Sequence, residues 1–174
     1  MAMKILICTF AMNMKRIVTK IGDIFCVEIG DGYKCFFQYI ANDMTMLNSS
    51  VIRVFSKHYP IEYVPVFDEI VKDEVSFYAH TILRFGIVYN AWYKVGKHKD
   101  IGNTNEISFR LFDENNFSQI EKSYTWSIWK INQKSQFIGE LNEKYKKYDL
   151  GFVFSYDNIV SKIATGKFLL KHIE

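Results

Sequence analysis

The feature that most limits how this chain can fold is an alternating apolar segment folded back on itself at an Asp-Gly turn. Residues 24–29 read as a strand, Gly30-Asp31-Gly32 as a turn, and residues 33–40 as the returning strand. Asp-Gly supplies the positive φ that a tight hairpin needs. With a side-chain period of two, Phe25, Val27 and Ile29 share one face, and Ile24, Cys26 and Glu28 share the other.

The rest of the chain continues in short segments of the same kind. Residues 50–55, 76–83, 87–95, 107–112 and 124–131 are predicted strands, with short candidates at 136–139 and 151–154. Arg84-Phe85-Gly86 reads as the connection between two of them, and the polar, Gly-containing stretch 96–105 as a loop. Two helices are predicted. One spans 65–74, with Pro65 in its first turn and an apolar stripe of Phe67, Ile70 and Val71. The other spans 156–164, with Ser155 or Asp157 at its start and Gly166 at its end. Fifteen Phe and eleven Tyr, against only Pro60 and Pro65, favour strands. The expectation is an α+β fold: a mainly antiparallel, strongly bent β-sheet or partial barrel with two short helices.

A length of 174 residues fits one domain. Residues 1–13 read as an over-called or signal-like extension. Lys4 precedes a short apolar core, Ile5 to Met12, with no clean cleavage site after it. Met14-Lys15-Arg16-Ile17-Val18 leads straight towards the first strand, which favours Met14 as the start and residues 14–174 as one β-rich domain. No apolar run approaches the length needed to span a bilayer. Cys8, Cys26 and Cys35 are odd in number and lack a C-x-x-C pair, which points to a reducing, cytoplasmic setting without a disulfide framework.

The polar residues carry no recognisable reaction chemistry. His58, His80, His98 and His172 lie in different segments without metal-ligand spacing, and His80 within an apolar strand reads as a core histidine. There is no G-x-S-x-G elbow, P-loop or G-x-G-x-x-G, so no catalytic, metal or cofactor residue is assigned. The net charge of +3, with Arg16, Arg53, Arg84 and Arg110 scattered, falls short of a nucleic-acid footprint. Lys94, Lys97, His98 and Lys99 form one basic group. Lys144, Lys146 and Lys147, interleaved with Tyr145 and Tyr148, form another. The densest acidic group is Glu62, Asp68, Glu69, Asp73 and Glu74, opposed only by Lys72. It reads either as a solvated helix face or as an acidic docking surface for a basic partner. In 124–129, Tyr124, Trp126 and Ile128 share a face opposite Trp129, which places at least one tryptophan near a surface.

The opening Ile21-Gly22-Asp23-Ile24-Phe25, followed by Val27-Glu28-Ile29, the Asp-Gly turn and an aromatic return strand, resembles the start of the immunity protein 26 family of bacterial polymorphic toxin systems. Val75-Ser76-Phe77-Tyr78-Ala79-His80 and Trp92-Tyr93-Lys94-Val95-Gly96 are similar to later parts of that family. The chain departs from the pattern at Gln38-Tyr39, where a small residue is expected. The resemblance implies a β-rich antidote that binds a cognate protein toxin, with no enzymatic activity and no cofactor; the lack of a long apolar run points to no membrane partner. Asp68, Glu69, Asp73, Glu74 and Trp92 are the expected partner-binding residues. The competing reading is a nucleic-acid-binding module on a small barrel, using Lys94, Lys97, Lys99, Lys146 and Lys147. A third is an enzyme whose site assembles from dispersed residues.

Overall fold

A computed structural model of the chain describes residues 17–112 and 123–169, so the expectations for residues 1–13 lie outside it. β1 (Asp23–Gly30) and β2 (Tyr33–Asp43) form the expected hairpin, with Phe25 opposite Phe37 and Val27 opposite Cys35. Asp31 at φ 51° and Gly32 at φ 78° make its turn. Then follow β3 (Ser49–Phe55), β4 (Tyr59–Pro60), α1 (Phe67–Ile70), β5 (Val75–Thr81), α2 (Leu83–Val88) and β6 (Tyr93–Lys97). After a 3-10 turn at Thr104–Glu106 come β7 (Ser108–Phe112), β8 (Trp126–Lys130), β9 (Gln136–Gly139), α3 (Glu143–Lys146), β10 (Asp149–Leu150), β11 (Val153–Phe154) and α4 (Tyr156–Thr165).

The strands make two open sheets. The larger runs β11-β5-β3-β2-β1-β6, with β4 beside β2, and the smaller runs β10-β7-β8-β9. Every strand pair is antiparallel except β11 with β5 and β10 with β7. The α+β class and the mainly antiparallel pairing therefore hold. The sheets do not close into a barrel, and the described residues hold four α-helices where two were expected.

Both faces of the larger sheet are covered. On one, Phe25, Val27, Cys35, Phe37, Ile52, Val54 and Phe77 pack under Leu83 of α2, Trp92, and Ile159 and Ile163 of α4. On the other, Ile24, Cys26, Phe36 and Phe55 meet Ile70 and Val71 at α1. Further along that face, Ile40 and Val51 meet Phe109 and Trp129 of the smaller sheet. Cys26 and Cys35 fall on opposite faces, each buried and unpaired. Ser155 stands at the N-cap of α4 without a side-chain cap bond, and Gly166 stands at its C-cap with φ 76°.

The expected strand over 87–95 is corrected. Residues 83–88 form α2, so Arg84-Phe85-Gly86 is helix and not a connection, and the strand begins only at Tyr93. α2 has no side-chain N-cap and no charged residue placed to suit its dipole. What holds it is packing: a Cβ on Gly86 would run into the Trp92 ring, and the Trp92 indole donates to Leu83 O at 3.0 Å. A surface tryptophan is not found either. Trp92, Trp126 and Trp129 are all at most 3% exposed. Trp129 is covered because it faces Phe109 and lies against Gly151, where no side chain would fit.

The Gly22-Asp23 corner explains the opening motif. Gly22 takes φ 95°, and a Cβ there would sit 2.7 Å from His98 O. Its N–H donates to Tyr39 O at 2.7 Å and its carbonyl accepts from His98 N at 2.9 Å. Asp23 is fully buried; it accepts from Lys20 N at 2.9 Å and pairs with Lys94 at 2.7 Å. Gln38, one of the two residues where a small side chain is expected, completes the corner. Its amide donates to Gly22 O and His98 O, and its oxygen accepts from Arg53 Nε at 2.9 Å.

Candidate partner-binding edge

Four of the five expected contact residues lie in one stretch, from β4 to the turn after α1. That stretch is pinned to the hairpin at its near end. Tyr59 and Pro60 pair with Lys34 and Tyr33, Ile61 N donates to Gly32 O at 2.8 Å, and Lys34 Nζ donates to Ile61 O at 2.6 Å. At its far end Phe67 lies on Gly96 of β6, where a Cβ would strike the ring. Tyr59 and Tyr63 lie with ring centroids 4.2 Å apart, and Phe36 meets both edge-on. The result is a fixed platform, and surfaces that are already ordered lose less entropy on binding.

The carboxylates of this platform have different roles. Asp68, Glu69 and Glu74 are exposed, the Asp68 side chain at 83%. Asp68 accepts from His98 Nε2 at 3.0 Å. Since His98 Nδ1 accepts from Asp100 N, the ring proton of the neutral histidine sits on Nε2. Glu69 accepts from Tyr63 OH at 3.3 Å. Asp73 is half-buried and accepts from Tyr59 OH at 2.6 Å, so it braces the platform. Burial and the neighbouring Asp73 carboxylate push the Tyr59 hydroxyl well above its usual range, which keeps it a donor. Burial, against a bond from Val66 N, raises Tyr63 as well, with Glu69 adding to it.

Trp92 does not belong to this surface. It is 1% exposed and packs edge-on against Phe37 with centroids 5.2 Å apart, so it organises the core. Sequence reasoning missed the apolar members of the edge: Ile61 at 37%, Val64 at 78%, Val66 at 44% and Tyr33 at 48% exposure. The available signal was two valines flanking Pro65, outside the stripe of α1. Aliphatic and tyrosine side chains bordered by Glu62, Asp68 and Glu69 give this edge a mixed character suited to a protein partner.

The other expected chemistry is dispersed. Lys94 and Lys97 lie on β6 at the edge of the larger sheet, with Lys99 just beyond it, whereas Lys146 and Lys147 lie at α3 beside the smaller one. Lys94 is engaged by Asp23. His80 is fully buried, with Nε2 3.2 Å from Asp43 Oδ2. Asp43 also accepts from Trp129 Nε1, Asn132 N and Met46 N, which joins the two sheets. Burial raises the Asp43 carboxyl, but these bonds outweigh it and hold it below the usual range; burial lowers His80. A cleft of about 440 Å³ at the seam of the sheets is lined by Tyr78, Glu106, Lys130, Lys147, Tyr148 and Asp149, among others. Burial pushes Asp149 up to about 6, yet among the described residues no histidine or cysteine lines the cleft to act with it. Among the described residues no three His, Cys, Asp or Glu side chains are placed to hold a metal, and no helix is long and apolar enough to cross a membrane.

A family model described as Immunity protein 26 matches residues 20–116, more than half of the chain, from just before β1 to just beyond β7. No curated protein and no solved structure matches the chain.

Proposed function

The chain belongs to the immunity protein 26 family, and on that premise we propose that it is a stoichiometric, non-catalytic inhibitor of a cognate bacterial protein toxin. It acts in the cytoplasm, where it covers the toxin and leaves substrate chemistry untouched. The observation that supports this reading is the fixed edge between β4 and α1, which offers carboxylates and aliphatic side chains together. Asp68, Glu69 and Glu74 attract a basic toxin surface of the kind that normally meets phosphate, and Asp73 holds the platform through Tyr59. Ile61, Val64 and Val66 supply the desolvated centre of the contact.

The test is co-expression with a candidate toxin domain taken from a neighbouring reading frame, followed by co-purification. The expected result is rescue of growth and a one-to-one complex. Rescue without a complex, or neither, rejects the reading.

A further inference from the structure

A second exposed surface lies on α2 and the outer strand of the larger sheet, apart from the acidic edge. Ile82, Phe85, Val88, Tyr89 and Val153 are exposed at 47, 50, 41, 61 and 40%. Tyr89 stacks on Tyr156 with centroids 4.9 Å apart and the rings 20° from parallel. A groove of about 170 Å³ runs between Ile82 and Phe85 on one side and Val153 and Tyr156 on the other. β11, which carries Val153, is the last strand of its sheet on this side.

We propose that a second copy of this chain occupies this surface, making a two-fold homodimer. Two arguments select that occupant. The first is area: side chains of these types and exposures present on the order of 400 Å² of apolar surface. With a polar rim, that approaches the roughly 800 Å² per partner of a stable interface. The second is charge. The charged residues adjoining Phe85 and Tyr156 in the chain are Arg84 and Asp157, both exposed and opposite in sign. With the two-fold axis between them, Arg84 of each copy faces Asp157 of the other, so the patch meets itself without net repulsion. A basic toxin finds no such excess of carboxylate here. Phe and Tyr are also the residue types that anchor such contacts.

The experiment is sedimentation equilibrium of the full chain, with Phe85→Asp and Tyr89→Asp beside it, each checked for folding by thermal melting. The expected result is twice the 20.5 kDa chain mass for the parent. Each substitution is expected to raise the dissociation constant about 30-fold or more. Phe85 and Tyr89 are half or more exposed, so both variants are expected to fold; Tyr89→Asp carries the test if Phe85→Asp does not. A parent that stays monomeric up to about 100 µM overturns the proposal, as does a dimer unaffected by both changes. If the parent is monomeric and the substitutions abolish toxin binding, the patch belongs to the toxin and the homodimer is rejected.

Discussion

α1 and α2 are built alike and show opposite chemistry to solvent. Each has only four to six residues, too few to persist alone, and neither has a side-chain N-cap. Each is fastened by an aromatic ring lying on a glycine. In α1 the helix supplies the ring, Phe67, and β6 supplies Gly96; in α2 the helix supplies Gly86 and the ring of Trp92 follows it. Outward, α1 presents Asp68 and Glu69, while α2 presents Phe85 and Val88. Because inward ring-on-glycine contacts fasten both helices, their outward faces can differ in chemistry without loss of the fold.

The largest test of that scheme is Trp92→Ala. Removing this ring is expected to cost about 3–5 kcal/mol, measured by urea unfolding. A loss under about 1 kcal/mol would mean that α2 is not fastened as described and that Trp92 can be spared for contact. Gly96→Ala is expected to displace Phe67 and cost about 1–3 kcal/mol. It should also weaken toxin binding without altering a carboxylate, which links the fastening of α1 to its outward face. Asp68→Lys with Glu69→Lys is expected to slow toxin association about 10–100-fold, less so as salt rises. Unfolding should stay within about 0.5 kcal/mol of the parent. Equal slowing by charge reversal at Arg84 of α2 would break the contrast between the two helices. Tyr59→Phe, which leaves Asp73 without its donor, should have the smallest effect: about 1 kcal/mol of stability, with toxin affinity lowered less than by Gly96→Ala.

The hairpin and the interior of α1 were legible because they depend on local signals. Asp31-Gly32 demands a turn, and Phe67, Ile70 and Val71 repeat at the helical spacing. α2 was not legible. Its run ending in Ile87 and Val88 has strand propensity, and packing holds it helical: Gly86 beneath the nearby Trp92 ring, and Leu83 in the core with Ile159 and Ile163 of α4. The same limit hid the burial of Trp129, which depends on Gly151 more than twenty residues later. Of the candidate edge, the carboxylates could be read because the stripe of α1 leaves them outside. The exposure of Ile61, Val64 and Val66 could not, because burial depends on what lies beneath a side chain and not on its own character.

The two described cysteines have a use that follows from where they sit. Cys26 and Cys35 occupy opposite faces of the central hairpin, at 1% and 0% exposure. Burial raises both thiols, Cys35 to about 12, so neither offers a reactive thiolate while the sheet is intact. With Cys8 replaced by serine, alkylation therefore becomes a clock for the opening of each layer. Modification at Cys26 dates the release of the α1 side, and modification at Cys35 dates the release of the side beneath α2 and α4.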